Sequence, residues 1–323
     1  MRKVVGVLRG GPSREYEVSL KTGTSVLEHL NREQYEPRDI FIDRNGEWHV
    51  HGVAQQPERA LKGVDVVFNA LHGDYGEDGQ VQRILEQLNV PYTGSGALSS
   101  ALAYNKHHTK DAAKKLGVKV AHGKVLDRTD NIEGLAQELF RSFPHPCIVK
   151  PVAGGSSIGV TVVDTYHGLE HALRHAFAHS SQALIEEYIV GREATVGVID
   201  NFRSEDVYAL MPIEIVLPVG ARAYDHHTKY EGTPQFVMPA GFTDEQKAEL
   251  IDAAKKVHAG LGLSHYSRSD FKVSKRGIYF LEINALPDMF DGSEFTEMLH
   301  GIGSNRTHFI DHVIALAHNG RLS

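Results

Sequence analysis

Two short segments in the C-terminal third carry the residue types most able to do chemistry together. The first is Tyr266-Ser-Arg268-Ser-Asp270-Phe271, and about ten residues on comes Tyr279-Phe-Leu-Glu282-Ile-Asn284. Period-two alternation over 280–284 predicts a strand with Glu282 and Asn284 on one face and Leu281 and Ile283 on the other. A hairpin through Ser274-Lys275-Arg276-Gly277 then sets Asp270 beside Glu282. An Asp, a Glu and an Asn converging through their oxygens make a hard-cation site, and magnesium carrying nucleotide phosphates is its natural occupant. Taken alone, the pattern also suits an ordinary solvated strand face.

Lysines and glycines extend the pattern. Lys150 ends the apolar run Ile148-Val149-Lys150-Pro151, just before Gly154-Gly155-Ser156-Ser157-Ile158-Gly159, and Lys106 lies on the preceding helix. Point charges there can hold phosphates while loop N–H groups cover them. A glycine-rich loop is weak evidence by itself, and no Walker Gly-Lys-Ser/Thr is present. Glu186, Glu187 and Glu193 follow on a strand and loop. Their carboxylates can accept hydrogen bonds from a ribose, although each considered singly reads equally as surface charge.

The elements that must position these groups alternate between strand and helix. Residues 4–8 predict a strand, broken by Gly10-Gly11-Pro12-Ser13, and 15–30 an amphipathic helix. Residues 38–42 and 64–69 read as buried strands with a polar stretch between them, and 80–88 as a helix. This predicts a parallel, doubly wound first domain over 1–97. A central unit over 98–184 begins with one long helix at 99–116 and a strand at 118–125. Two strands joined by the glycine-rich hairpin then suit a flexible cover, with a helix at 168–178 and a strand ending at Glu186-Glu187-Tyr188. An α+β unit over 185–323 completes the chain. Within it, residues 217–241 are rich in Pro, Gly, His and Tyr with no period, as a functional lid or a disordered stretch would be.

Composition bounds the function. At roughly 150 residues per domain, 323 residues make about two domains or three small ones. The apolar fraction of 41% and charged fraction of 23% are those of an ordinary globular protein. A formal net charge of −7 argues against general nucleic-acid or membrane-surface binding. One cysteine, Cys147, leaves no internal disulfide framework and no Cys-based zinc site, and fits a reducing cytosol. No apolar run approaches the roughly 20 residues of a membrane span, and the apolar start reads as a first strand rather than a signal core. The 20 histidines are read as scattered pairs, His107-His108 and His226-His227, and the i,i+4 spacing of a helical zinc site is not expected among them.

A resemblance joins these segments. Gly10-Gly11-Pro-Ser-Arg-Glu15-Tyr-Glu17, Ala70-Leu-His72-Gly-Asp-Tyr-Gly-Glu77-Asp-Gly79 and Pro91-Tyr-Thr-Gly-Ser-Gly96 come first. Ile148-Val-Lys150-Pro, Gly155-Ser-Ser157-Ile-Gly159, Tyr224-Asp225…Lys229-Tyr230, Arg268-Ser-Asp270 and Leu281-Glu282-Ile-Asn284 follow in order. Over nearly its whole length the sequence resembles the ATP-grasp carboxylate–amine ligases, and among them the D-alanine–D-alanine ligase family. The resemblance implies a three-domain α/β ATP-grasp fold with a doubly wound N-terminal domain. It implies that ATP phosphorylates the carboxylate of one D-alanine and that the amine of a second attacks the acyl phosphate, for a peptidoglycan precursor. Such an intermediate needs shelter from water, and residues 217–241, with Lys229 and Tyr230, match the family's lid.

By the same resemblance, Mg²⁺ sits on Asp270, Glu282 and Asn284, as two ions that Mn²⁺ can replace. Lys106, Lys150, Ser156, Ser157, Glu186, Glu187, Ile189, Glu193 and Lys229 surround ATP. Glu15 meets the first ammonium, His72 lies near the first carboxylate, Arg268 faces the developing oxyanion and Ser293 holds the second carboxylate. Glu15, Ser156 and Tyr230 form a closing trio. A cytoplasmic homodimer is implied, with small-molecule substrates and neither nucleic-acid nor membrane partners.

The sequence departs from the family pattern after the metal site. Asp288 stands where the family has a glycine whose N–H serves the oxyanion, and Glu294 where an apolar residue usually lies beside the second amino acid. With Asp291 they make that end acidic, and Asn105 replaces an aspartate next to Lys106. Two like charges about 4 Å apart repel by roughly 1 kcal/mol in water and by more in a dry site. If these side chains face the site, D-serine, a D-hydroxy acid or another acceptor becomes the expectation; if they face solvent, ordinary dipeptide ligation does, and that is the reading adopted. The alternative from a different class is a nucleotide-binding homologue that has lost catalysis; retention of Arg268, Asp270, Glu282 and Asn284 argues against it.

Overall fold

In the computed structural model, which describes residues 2–220, 222, 224 and 234–320, the valine-rich start forms β1 (Lys3–Gly10) at the heart of a five-stranded sheet. The chain continues through α1 (Tyr16–His29), β2 (Tyr35–Ile42), β3 (Trp48–Val50), β4 (Val53–Gln55), α2 (Pro57–Ala60), β5 (Val66–Asn69) and α3 (Gln80–Gln87). β1 pairs in parallel with β2 on one side and β5 on the other, as expected of a doubly wound domain. The edge differs from the expected parallel sheet, because β2, β3 and β4 are antiparallel. The polar stretch after β2 is a tight turn. The Asp43 carboxylate accepts the backbone N–H groups of Asn45 and Glu47 at 2.8 and 2.9 Å, which reverses the chain locally.

The single helix expected at 99–116 is two, α4 (Ala97–Tyr104) and α5 (Lys106–Lys115). Asn105 leaves helical geometry at φ −98° and ψ 107° and bridges to Ala153. Its side chain caps α5 by accepting the N–H groups of His107 and His108 at 3.0 and 3.1 Å. The expected strand at 118–125 begins later, as β6 (Gly123–Asp127). There follow α6 (Ile132–Ser142), β7 (Cys147–Pro151), β8 (Thr161–Val163), α7 (Tyr166–Phe177) and β9 (Gln182–Glu187). The strands form an antiparallel sheet in the order β6-β9-β7-β8, so the glycine-rich loop is the β7–β8 hairpin. Ala136 and Leu139 of α6 and Leu169, Ala172, Leu173 and Ala176 of α7 pack with Cys147 and Val149 beneath it. The outer side of α7 and the turn after it carry His167, His171, His175 and His179 at four-residue steps, the spacing not expected from the sequence.

A six-stranded antiparallel sheet builds the last unit from β10 (Arg192–Phe202), β11 (Glu205–Ala209), β12 (Ile213–Val216), β13 (Gln235–Val237), β14 (Tyr266–Ser274) and β15 (Gly277–Asn284). Its path is β13-β12-β10-β14-β15, with β11 on the far half of β10. β13 lies within 217–241, so that stretch contains regular structure. α8 (Asp244–Gly260), started by a Thr243/Gln246 capping box, covers one face of the sheet. α9 (Glu294–Gly301) and α10 (Arg306–Gly320) follow. α10 returns to the first sheet: Phe309, Ile310 and Val313 share a core with Val5, Val7, Val66 and Phe68. Among the described residues no helix is long and apolar enough to cross a membrane.

Candidate active site

The β14–β15 hairpin turns at Lys275-Arg276, with Ser274 opposite Gly277, and aligns Asp270 with Glu282 and Arg268 with Asn284. One departure from the expected alternation matters. The register passes from Asp270↔Glu282 to Phe271↔Phe280, so Leu281 is the extra residue of a bulge. Phe280 and Ile283 consequently enter the core, while Leu281 turns into the cleft with Glu282 and Asn284.

Within the hairpin the three oxygen-bearing side chains are close. Asp270 accepts Arg268 Nε at 3.1 Å and Nη2 at 3.0 Å, Asn284 Nδ2 at 3.2 Å and Thr195 Oγ1 at 2.6 Å. Glu282 lies 3.0 Å from Lys106 Nζ, which also donates to the Gly154 carbonyl at 2.7 Å. Burial opposes charge on Glu282, but Lys106 and Lys150 outweigh it and hold the carboxyl down at about 2. Arg268 is buried, yet Asp270 and Glu294 overcome that burial and raise its pKa further. The donor set is all oxygen, as a hard divalent cation requires, and here the protein's own cations balance the carboxylates.

A cleft opens between the central sheet and this hairpin. Lys150, Ser156, Ser157, Glu186, Glu187, Ile189 and Glu193 all line it, together with Arg268, Asp270, Glu282 and Asn284. Lys106 lies in an adjoining hollow that it shares with Glu282, Asn284 and Gly154. Ala121, Ile148, Val160 and Leu281 supply apolar walls suited to a flat ring; nothing in their spacing marks them in the sequence. At the floor, Glu186 is 2% exposed and pairs with Lys110 Nζ and Lys150 Nζ, each at 2.6 Å. Burial opposes its charge, and the two lysines prevail and lower its pKa. Burial, reinforced by Lys150, brings the Lys110 ammonium down to about 8. Lys110 was not singled out in the sequence because its helix face cannot be read from residue type alone. Glu187 is more open and meets Arg276 at 2.9 Å. Glu193 pairs with Lys272 at 2.7 Å, and burial raises its carboxyl nonetheless.

On the far side of the glycine-rich loop, Glu15 is buried and accepts the Ser156 hydroxyl. Gly155 permits that approach, since a Cβ there would fall 2.3 Å from Glu15 Oε2. His72 is buried, 2.9 Å from Thr22 Oγ1 through Nε2 and 3.8 Å from Asp288 through Nδ1. Glu77, not foreseen as a site residue, accepts the Gly73 N–H at 2.7 Å. Burial and then the charges of Glu15 and Asp288 push its carboxyl well up.

The residues that depart from the family pattern do not share one fate. Asp291 is exposed and pairs with Arg306. Asp288 and Glu294 are 5% and 2% exposed, so they do not face solvent. Glu294 lies 3.4 Å from Arg268 Nη1 and accepts the Tyr224 hydroxyl at 2.8 Å. Ser293 Oγ donates to the Asp288 carbonyl at 3.0 Å and sits 2.9 Å from Thr296 Oγ1. Lys229 and Tyr230 lie outside the described residues.

Comparison with known proteins agrees over the whole chain. The family model described as "D-ala D-ala ligase C-terminus" matches residues 113–315. That described as "D-ala D-ala ligase N-terminus" matches 4–60 and 51–95. A D-alanine–D-alanine ligase of Geotalea uraniireducens is 39% identical over 317 residues, 98% of this chain and 96% of that one. Its counterpart in Syntrophotalea carbinolica is 36% identical over 97% and 96%. Among solved structures, the VanG D-Ala:D-Ser ligase of Enterococcus faecalis superposes with a TM-score of 0.84 at 30% identity, covering 98% of this chain and 100% of that one. The D-alanine–D-alanine ligase of Coxiella burnetii gives a TM-score of 0.84 at 25% identity, covering 99% and 95%. A three-sheet architecture, a cleft walled by a metal-competent hairpin, and these full-length matches place the chain in the D-alanine–D-alanine ligase family, to which it belongs.

Proposed function

We propose that the protein joins two molecules of D-alanine at the expense of ATP, passing through an acyl phosphate of the first, to make a peptidoglycan precursor. The observation that carries this reading is the arrangement around one loop. Cationic and metal-competent groups lie on the cleft side of Gly154-Gly155-Ser156, and a buried carboxylate that suits an ammonium, Glu15, lies on the other. Asp270, Glu282 and Asn284 are the residues to hold magnesium, as two ions that manganese can replace. Magnesium supplies charge neutralisation during phosphoryl transfer. Lys106 and Lys150 position and neutralise the phosphates, and Glu186 holds Lys150 in place. Ile189, Glu187 and Glu193 line the nucleoside end, and Ser157 contributes to the loop that covers it. Glu15 attracts the first ammonium, with His72 beside that substrate's carboxylate. Arg268 stabilises the oxyanion that forms when the second amine attacks. Lys229 and Tyr230 belong to the lid that excludes water, with Tyr230 joining Glu15 and Ser156. A cytoplasmic homodimer completes the reading, with domains at 1–97, 98–184 and 185–323.

A second reading keeps D-alanine first and changes the acceptor. It is favoured by one observation, the carboxylate of Glu294 buried against Arg268, next in sequence to Ser293, the residue read as holding the acceptor's carboxylate. ADP formation measured with D-alanine alone, and with D-serine, a D-hydroxy acid or D-alaninamide added, separates the two. Full turnover on D-alanine alone supports dipeptide ligation, whereas turnover only with an added acceptor supports the second reading. Absence of any D-alanine-dependent ADP would overturn both. Glu282→Ala is expected to abolish Mg–ATP turnover, and full activity in that variant would remove the metal assignment.

A further inference from the structure

α7 and the turn that follows it build a ladder of imidazoles outside the ligase cleft. His171 and His175 lie one helical turn apart on α7, and His179, four residues further on, stands in the turn just past its end. The His175 and His179 rings are 5.0 Å apart between centroids, and His171 and His175 are 6.2 Å apart. Two imidazoles binding one ion through Zn–N bonds of about 2.0–2.1 Å place their centroids roughly 4.5–5.2 Å apart. The His175–His179 pair already meets that spacing. A second observation points to a ligand: the Nδ1 atom of His179 is buried and has no hydrogen-bond partner among the described residues. The stripe also lies at the C-terminal end of its helix, where the backbone dipole favours a cation. Neighbouring Arg174 is tied to Glu170 at 2.7 Å, which balances the nearest positive charge.

We propose that His175 and His179 bind a divalent late first-row transition ion such as Zn²⁺, Ni²⁺ or Cu²⁺. Neutral imidazole nitrogens suit these ions, whereas magnesium takes oxygen donors, so the ladder and the Asp270–Glu282–Asn284 group select different metals. The position gives the ion a structural role. The His179 ring packs against Pro151 and against Gly159, where a Cβ would come within 2.9 Å of Cδ2. Those residues are the two ends of the glycine-rich hairpin. An ion on the ladder therefore ties the end of α7 to the base of the loop that carries Ser156.

The test uses the full chain, stripped with a chelator and then held in excess Mg²⁺ so that the carboxylate site is occupied. Titration with NiCl₂ in a calorimeter is expected to show one site whose affinity falls about tenfold or more, roughly 1.4 kcal/mol, in His175→Ala and in His179→Gln. His107→Asn, which alters a different surface pair, is expected to bind as the wild type does. Circular dichroism and the urea midpoint check that each variant is folded. With Cu²⁺, the electron paramagnetic resonance spectrum is expected to show nitrogen ligands that His175→Ala loses. Equal binding by wild type and both ladder variants, or no nickel binding by folded wild type, would overturn the proposal. Neither result touches the ligase reading, which is judged by D-alanine-dependent ADP formation.

Discussion

Two adjacent glutamates should respond very differently to the same substitution. Glu186 is 2% exposed and balances two ammonium groups at 2.6 Å, themselves 7% exposed. In Glu186→Gln an amide cannot balance either charge, and Lys110 and Lys150 are left facing each other. Removing one partner of a buried pair costs about 3–5 kcal/mol. Glu282 stays near Lys110 and Lys150 and offsets part of this, so the lower end, about 3 kcal/mol, is expected. Glu187 is 21% exposed and its partner Arg276 57%. An open pair of that kind is worth under about 1 kcal/mol, so Glu187→Gln should cost no more. Urea unfolding of both variants at neutral pH without nucleotide, followed by far-ultraviolet circular dichroism, measures the contrast. Thermal melts should agree, with a drop of roughly 4–5 °C for Glu186→Gln. Equal losses, or a loss below about 1 kcal/mol for Glu186→Gln, would refute the claim that this carboxylate holds the floor of the cleft together.

Glu294→Gln removes a buried negative charge 3.4 Å from Arg268. The KM for the second D-alanine is expected to fall about three- to tenfold, or ~1 kcal/mol, with that for the first unchanged; an unaltered second KM would exclude Glu294 from acceptor binding. Asn105→Ala deletes the cap of α5 and should cost about 1 kcal/mol in urea unfolding, with a rise in the KM for ATP because Lys106 is the next residue; loss of stability without that rise would separate the cap from the nucleotide. Lys110 has a folded pKa of about 8, below its ordinary 10.5. Between those values the unfolded chain binds more protons than the folded one, so this group's contribution to stability improves as pH rises through that window. Urea midpoints of wild type and Lys110→Met should therefore shift in the wild type's favour from pH 8 to 10, and a constant or shrinking gap would contradict the burial of a charged lysine.

Much of the β14–β15 hairpin was legible because its instructions are local. Alternation over β14 and β15 and the short Ser274-Lys275-Arg276-Gly277 connection determine that Asp270 meets Glu282. The Leu281 bulge was not legible, since an extra residue in one strand emerges only when Phe271 and Phe280 compete for the same core. Asn105 shows the same limit from another side. The helix pattern runs through it, and the break comes from backbone pairing with Ala153, nearly fifty residues away. The Asp43 turn could have been found from its Asp-Arg-Asn-Gly run, a recognisable reversal signal. The histidine ladder is also written locally, as a four-residue spacing over His167, His171, His175 and His179. For Glu294 and Asp288 residue type favours solvent, and the structure overturns that: Glu294 is enclosed against Arg268 and Asp288 beside His72, contacts between distant segments that residue type does not show.

The return of α10 to the first sheet has a consequence for biosynthesis. Val5, Val7, Val66 and Phe68 are made early, yet Phe309, Ile310 and Val313, which cover them, leave the ribosome long afterwards. During translation this apolar surface stays uncovered for most of the chain's length, a period in which chaperones or aggregation compete for it. A fragment cut before Arg306 inherits the same bare surface permanently, so the N-terminal sheet should not be expressed alone without a substitute for α10.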